Sequence, residues 1–577
     1  MIREDIVELL KKACLRQGFG GQAAGDESVG EVSVPEIAEL GHYSTNVALR
    51  LAKARGAKPM DLADEIVGKL RAAAPAGMFE KIEVATPGFI NFWLTKEAIQ
   101  KEFEKIIGDE DFGKSDFGQN KKIIVEYSSV NIAKPFHLGH FRNTIIGDAL
   151  ARILKYVGYD VVRWNYLGDW GTQFGKLIVA YRLWGDENKV KENPIEELQK
   201  LYVKFHEEVK TNPELDQRAR EEFQKLEAHD PENLPLWLQF KNESLKAFER
   251  IYKTLDVDFD IWIGESFFED QMEFTVQELL DKKIAEKSEG AIIVKLDSQD
   301  LPPALIQKAD GASLYLTRDI ANLRYRLQTY KPAKILYVVG NEQSLHFEQL
   351  FAIAKILGLD SAELIHIKYG LVLGETGKKL STRRGEGVAI NEILEKVIKL
   401  ARSVVEEKAR DLSSSEKDAV AHAVTIGALK YNDLKENRTT DILFDWDRML
   451  SFSGDSGPYL QYTHARLKSI LRKAEVQTPK SEINLATLDS DAELVLMRKI
   501  FEFPYIILRA ANSYATSVLA TYLNQLAGAA NHFYESTPIL VDENRERKAA
   551  RLQLVETTAW VLKAGLYLLG IQAPEKI

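Results

Sequence analysis

A single cysteine, Cys14, stands in a chain of 577 residues, so no disulfide can close within it and no multi-cysteine zinc site can form. That scarcity fits a reducing compartment, and a cytoplasmic location is expected. No apolar run reaches the roughly 18 residues that a membrane-crossing helix needs. The opening MIREDIVELLKKA is a charged amphipathic helix without the pattern of a signal peptide. A basic excess is missing as well. The net charge of −10 argues against a protein that coats nucleic acid indiscriminately, yet leaves room for a local basic surface. No repeat of fixed period is evident, which excludes a solenoid. With 45% hydrophobic and 28% charged residues, the composition is that of an ordinary globular protein, and its length suggests about three to four domains.

The most informative stretch is KKIIVEYSSVNIAKPFHLGHFRNTIIGDAL, residues 121–150. Its β-branched run Ile123, Ile124 and Val125 predicts a buried parallel strand. A polar loop ending in Lys134 and Pro135 follows, then a helical pattern carrying His137, Gly139 and His140. Strand, loop and helix start together form an anion site, because unpaired N–H groups and the helix dipole face the loop. Two imidazoles three residues apart share one helix face. Gly139 between them lets a flat ligand approach the backbone. The stretch therefore predicts a nucleotide site with the phosphates at the helix start.

Residues 1–115 read as a small α/β domain. The Gly-rich segment 16–31 has no apolar strand leading into it and no Lys-Ser/Thr after it, which makes it a connector and not a phosphate loop. Two helices are predicted, in HYSTNVALRLAKARG and PMDLADEIVGKLRAAA, followed by a hairpin in IEVATPGFINFWLT. Phe89, Asn91 and Trp93 fall on one side of its second strand, where the aromatics suit either core packing or stacking on an unpaired base. Further on, YDVVRWNYLGDWGTQFG gives a second strand and a Gly-rich turn facing the same crevice as the histidines. Residues 186–250 are dense in Glu and Lys and read as a solvated helical insertion with little catalytic content. The sheet is expected to resume near 291 with AIIVKL. At 367–390 an apolar strand runs into a basic loop with Lys378, Lys379, Ser381, Thr382, Arg383 and Arg384, either a solvated charge run or a phosphate contact. From 391 to 577 the pattern is that of a helical bundle, in which Tyr459, Tyr462, Arg466 and Lys468 interleave aromatic and cationic groups.

HLGH and KKLST, set on two halves of one split α/β domain, resemble the HIGH and KMSK signatures of class I aminoacyl-tRNA synthetases. VEYSSVNIAKPFHLGHFRNTIIGD, NYLGDWGTQFG, LYLTRDIA, YVVGNEQSLHFEQL, LKENRTTDILFDWDRMLSFSGDSGPYLQYTHAR and the terminal LGIQAPEKI resemble the arginyl branch of that family, over about residues 37–577. The resemblance implies a Rossmann-type α/β catalytic domain at 116–390 with the helical insertion at about 186–250. It also implies a small N-terminal α/β domain at 1–115 that contacts the tRNA outer corner, and an all-α anticodon-binding bundle at 391–577. Six ordered blocks carry far more weight than a lone HxGH.

By that resemblance the substrates are ATP, L-arginine and tRNA(Arg), with Mg²⁺ accompanying ATP, no zinc, no membrane and a monomeric enzyme. Arginine would be activated to the adenylate and then passed to tRNA, with tRNA bound beforehand. Catalytic roles fall to His137, His140, Lys134 and Lys379, and ATP contacts to His137, Gly139, His140, His346, Lys379 and Ser381. Arginine contacts fall to Glu126, Asn131, Tyr315, Asp319 and Gln343, and tRNA contacts to Phe89, Asn91, Tyr459, Tyr462 and Arg466. Two departures stand out: the second signature lysine is replaced by Thr382, with Lys134 just before the first signature as its substitute, and Val130 stands where proline is usual. Glu126 and Asp319 at the ends of buried strands would be costly charges without a cation, which independently favours a cationic substrate. A site built to hydrogen-bond a guanidinium rejects analogues that leave its charges unpaired, so no editing domain is required. An enzyme of the cysteine type would need zinc-binding cysteines, and one for large aliphatic amino acids an editing insertion; neither is present. A tRNA-binding relative without catalysis fits poorly with intact His137, His140, Lys134 and Lys379.

Overall fold

A computed structural model of the chain describes residues 2–15, 31–35, 37–309, 314–373, 389–408, 411–443, 445–474 and 483–577. The Gly-rich connector and the basic loop with Lys379 and Ser381 lie outside the described residues. Two compact units are formed, Met1–Phe112 with Arg466–Pro504 and Gln525–Leu562, and Gly113–Ala465 with Tyr505–Asn524 and Lys563–Ile577.

The second unit is organised by five parallel strands, β1 (Lys122–Glu126), β2 (Asp160–Leu167), β3 (Ile261–Gly264), β4 (Lys334–Gly340) and β5 (Glu363–Tyr369), in the order β5-β4-β1-β2-β3. Strand β1 is central because Ile123, Ile124 and Val125 are all fully buried, as a strand covered on both faces requires. The chain winds from β1 outward to β3, then crosses to β4 on the other side of β1. The reversal opens a crevice at the carboxyl ends of β1 and β4, where Glu126 pairs with Tyr337 in register. Ile124, Trp164, Ile335, Leu350 and Ile353 share one core beneath it.

One element departs from its sequence expectation. The strand Ala291–Leu296 does not extend the parallel sheet. It pairs with Ala285–Ser288 and Leu301–Gln307 in a separate antiparallel sheet. Alternating burial along it, with Ile292, Val294 and Leu296 inward, suits an antiparallel strand with one solvated face, and the hairpin Ser-Glu-Gly at its start permits no crossover helix.

In the first unit, Phe79–Ala85 and Phe89–Leu94 form the predicted antiparallel hairpin, joined to Tyr43–Thr45 and Val32–Ser33. Ile90, Phe92 and Leu94 face its core and Phe89 is exposed. Asn91, on the same strand side as Phe89, is buried and accepts a hydrogen bond of 2.6 Å from the Ser44 hydroxyl. The helix Lys96–Ile106 docks on chain from far downstream: Lys96 Nζ and Gln100 Nε2 donate to the Asp489 and Leu488 carbonyls at 3.1 and 2.9 Å.

Candidate active site

The crevice holds a cavity of about 790 Å³. One wall is the loop after β1 and the first turn of helix α1 (Leu138–Tyr156), contributing Asn131, His137, Gly139 and His140. Tyr315, Asp319, Gln343 and His346 line the opposite wall, and Glu126 sits at its floor. Lys134 is exposed and does not line the cavity.

The loop is a costly piece of backbone. Ser128, Ser129 and Ala133 all have positive φ, at 70°, 47° and 59°, which residues with a Cβ seldom adopt. Side chains from three directions compensate. Asn143 Oδ1 accepts the Ser128 N–H at 2.7 Å, Asn165 Oδ1 the Ser129 N–H at 3.1 Å, and Ser244 Oγ the Ala133 N–H at 3.2 Å. The Tyr252 hydroxyl lies 2.6 Å from Ser128 Oγ. Ser244 and Tyr252 belong to α2 (Asn233–Leu255), the last helix of the charged insertion. That helix also pairs Lys241 with the buried Asp169 at 2.6 Å and donates from Trp237 Nε1 to the Asp169 carbonyl at 2.8 Å. The insertion is thus more than a solvated face. Its surface is charged, but its inner face props the nucleotide loop and the Gly-Asp-Trp-Gly turn. Gly168 of that turn passes so close to Asn131 that a Cβ would stand 2.2 Å from its Oδ1.

His137 is the N-cap of α1, with its imidazole in the role usually taken by Ser or Asp. Its Nδ1 accepts the Gly139 and His140 N–H groups at 3.1 and 3.3 Å, and His140 Nδ1 reaches back to the His137 N–H at 3.4 Å. The two rings stack with centroids 3.7 Å apart, so they do not simply share a helix face as their spacing predicts. With Nδ1 of His137 occupied as an acceptor, its proton sits on Nε2, the nitrogen of a hydrogen-bond donor. Burial holds the His140 pKa well below the ordinary imidazole value, and the nearby His137 and Lys134 push it further down. A side chain at Gly139 would meet the His137 ring at 3.0 Å. The motif is thus a compact imidazole pair at a positive helix end, with His140 held toward its neutral form.

On the other wall, α3 (Tyr315–Tyr330) begins beneath the antiparallel sheet, anchored by Thr317 Oγ1 donating to the Ile306 carbonyl at 2.6 Å. It presents Tyr315, which is 60% exposed, and Asp319. His346 Nε2 is 2.6 Å from Asp319 Oδ2. Burial alone would lower the His346 pKa, but the hydrogen bond and the charges of Asp319 and Glu126 outweigh it and raise it.

The electrostatics correct one expectation. Glu126 already has its cation: Arg326, fully buried two helical turns beyond Asp319, forms an ion pair with it. Arg326 lies among aromatic rings, 4.4 Å from the Trp164 centroid and 5.5 Å from that of Tyr337. The unmet charge is on a residue without a sequence signal, Glu265. It follows β3, lines the cavity, and is only 7% exposed. Its nearest cation, Arg318, is 3.6 Å away, and its Oε2 accepts no hydrogen bond among the described residues. Burial pushes its pKa up to about 8, with Arg318 opposing and Asp319 adding to the rise.

The described ends of the basic loop frame the same cavity. Val372 lines it before the loop, and Ala389 pairs with His137 after it, while the Ile390 N–H donates to the Phe136 carbonyl at 2.9 Å. The bundle residues Tyr459, Tyr462 and Arg466 are half-buried.

A parallel nucleotide-binding sheet with paired histidines capping the helix after its first strand, divided by insertions and followed in the chain by helices, defines a class I aminoacyl-tRNA synthetase. Matches to family models are specific within that class: "tRNA synthetases class I (R), catalytic domain" over residues 103–446, the "DALR anticodon binding domain" over 460–577, and the "Arginyl tRNA synthetase N terminal domain" over 1–94. The chain belongs to the arginyl-tRNA synthetase family. It is 46% identical to the arginine–tRNA ligase of Streptococcus uberis and 42% identical to that of Halothermothrix orenii, each over 549 residues and 95% of both chains. Among solved structures, the Thermus thermophilus arginyl-tRNA synthetase superposes with a TM-score of 0.84 at 26% identity and full coverage of both chains. The Plasmodium falciparum enzyme gives 0.82 at 27%, covering all of this chain and 99% of its own.

Proposed function

We propose that this cavity carries the first step of an ATP-dependent arginine–tRNA ligase, with arginine read by Glu265, Asp319 and Tyr315 and ATP held by the histidine wall. The single observation that carries the substrate reading is Glu265, a buried carboxyl on the cavity lining whose Oε2 accepts no hydrogen bond among the described residues and whose pKa the nearby Asp319 helps to raise. Such a site gains most from a planar guanidinium, which supplies several N–H donors and the missing positive charge together. Asn131 and Gln343 face the same space and suit the α-amino and carboxylate end. Glu126, bound to Arg326, shapes the floor and contributes charge at second hand.

The arginine carboxylate attacks the α-phosphorus of ATP, pyrophosphate leaves, and the terminal ribose of tRNA(Arg) then takes the arginyl group, releasing AMP. Little covalent work falls to the protein, so positioning and charge stabilisation dominate. His137 and His140 donate hydrogen bonds to the phosphates, and His140, held toward its neutral form, does so without the pull of a fixed cation on the product pyrophosphate. Lys134, Lys379 and Ser381 are assigned to the phosphates by the family signatures, and of these only Lys134 lies among the described residues. Among the described residues no group of three His, Cys, Asp or Glu could hold a metal ion, and in this reading Mg²⁺ arrives on the ATP phosphates. No described helix is long and apolar enough to cross a membrane. The enzyme is read as a monomer. Phe89, Tyr459, Tyr462 and Arg466 are the proposed tRNA contacts, with Asn91 supporting the strand from within.

The test is ATP–pyrophosphate exchange with each amino acid, with and without tRNA. Exchange should appear with arginine alone among them and depend on tRNA; exchange with another amino acid, or none with arginine and tRNA, sinks the reading. Two substitutions divide the walls. Asp319→Asn should raise the arginine KM by about 100-fold, as loss of a buried charged hydrogen bond does, with the ATP KM nearly unchanged. Lys134→Ala should slow adenylate formation about 100-fold in single turnovers, and a near-normal rate would make it a solvent lysine.

A further inference from the structure

Five residues beyond the capping His137, α1 carries Arg142, which is fully buried. Its guanidinium is used almost completely. NH1 donates to the Leu371 carbonyl at 2.9 Å, and NH2 to those of Arg438 and Thr440 at 3.1 and 3.0 Å. Nε faces Asp433 Oδ1 at 3.4 Å, but neither atom has a hydrogen-bond partner among the described residues. Burial lifts Asp433 to a pKa of about 6 even with Arg142 opposing, so the ion pair is the weaker part of the junction. The three carbonyls are the stronger part.

Those carbonyls belong to two segments that meet nowhere in sequence. Gly370, Leu371 and Val372 line the cavity beyond the end of β5. Residues 438–442 lie against them: the Gly370 N–H donates to the Arg438 carbonyl at 2.9 Å, the Ile442 N–H to that of Leu371 at 3.0 Å, and the Leu371 N–H to Asp441 Oδ1 at 2.6 Å. Val372 and Leu373 then pair in parallel with Ile442 and Leu443. The mesh is close enough that a Cβ on Gly370 would stand 2.6 Å from the Thr440 carbonyl oxygen. Among the described residues, the hydrogen bonds joining this mesh to α1 come from Arg142 and, through Tyr369, from its neighbour Asn143, whose Nδ2 donates to the Tyr369 hydroxyl at 3.3 Å.

We propose that Arg142 is a positioning residue for arginine activation: its fork fixes the cavity wall at 370–372 to the helix whose first turn carries the histidine pair. The proposal rests on the reading that His137 and His140 bind ATP. Only a planar fork can reach three carbonyls in different directions; a lysine keeps the charge beside Asp433 but serves fewer of them. Residues 370–372 follow β5 and Glu265 follows β3, at opposite edges of the five-stranded sheet, so displacement of this wall should be felt in ATP use and not in arginine binding.

The experiment measures ATP–pyrophosphate exchange for Arg142→Lys, with KM for each substrate, kcat and Tm. Misplacement of a reacting group by a fraction of its bond reach costs about 100-fold, and that fall in kcat is expected, with the arginine KM within about 2-fold of wild type. Asp433→Asn removes the ion pair and leaves the carbonyl contacts, so it should lower Tm without the kinetic split. Gly370→Ala disturbs the same wall from the other side and should reproduce the split even if Arg142→Lys does not fold. Three results overturn the proposal: a normal kcat in Arg142→Lys or Gly370→Ala, equal losses for both substrates, or the same split in Asp433→Asn. Should His137→Ala leave ATP use intact, the ATP reading of the histidines fails, and the proposal with it.

Discussion

Glu265→Gln should weaken arginine binding by about 100-fold or more, the scale expected when one member of a buried charged pair becomes neutral. Its effect on pH dependence is the sharper signature. In the free enzyme Glu265 carries a proton at neutral pH, since burial raises its pKa to about 8. A guanidinium bound beside it favours the ionised form, so binding arginine should release that proton. Affinity for arginine should therefore rise with pH, by up to about tenfold per unit below pH 8, and level off above it. Calorimetry in buffers of different ionisation enthalpy would register the proton directly. In Glu265→Gln the proton release should vanish and the affinity become flat across this window. A variant that keeps the slope would assign the proton elsewhere and return Glu265 to a structural partner of Arg318.

The second large effect is on stability. Arg326→Met should cost about 3–5 kcal/mol, because it removes one partner of a buried ion pair and leaves Glu126 without a cation. The sign with pH follows from Glu126, whose pKa is already raised by burial against the pull of Arg326. Without Arg326 it rises further. The native state then holds a proton that the unfolded chain loses near the ordinary carboxylate value, so the variant is least stable at high pH and recovers as pH falls toward that value. Glu126→Gln combined with Arg326→Met should regain most of the loss, since two neutral groups of similar shape replace the pair. Thermal unfolding of the wild type and the two variants across pH tests this, and a double variant no better than Arg326→Met would sink it. The contrast between the two carboxylates matters for function. Glu126 is paired within the fold by Arg326, while Glu265 is the carboxyl proposed to meet the substrate.

Much of this was legible in the linear order of residues. The run Ile123, Ile124, Val125 has only one comfortable place, the middle of a parallel sheet, and a polar loop followed by a helix start after such a strand is an anion site by backbone geometry alone. Glu126, Asn131, His137, Gly139 and His140 lie within fifteen residues of one another, so local structure already brings them together. Tyr315 and Asp319 come from one helix turn, and the winding of βαβ units delivers that helix to the same crevice.

What could not be read was where charges find partners. Arg326 looks like any helix arginine until the α3 face carries it under β1, and Glu265 looks like a surface glutamate until the turn after β3 buries it. Ser244, Tyr252, Trp237 and Lys241 sat in a segment whose charge pattern describes only its outer face. The antiparallel placement of Ala291–Leu296 was hidden for a related reason: a short apolar run specifies burial but not a partner strand.

The sequence by itself determined the class of chemistry, because the nucleotide cradle and its histidines are contiguous and the ordered blocks name the family. Only the tertiary structure decided that Glu126 is paired with Arg326 while Glu265 Oε2 accepts no hydrogen bond among the described residues, which side chains hold the strained loop, and what ties residues 370–372 to the helix of the histidines. Those are contacts between segments tens to hundreds of residues apart. Their energies depend on burial and on distances of a few ångströms, which a one-dimensional pattern does not contain.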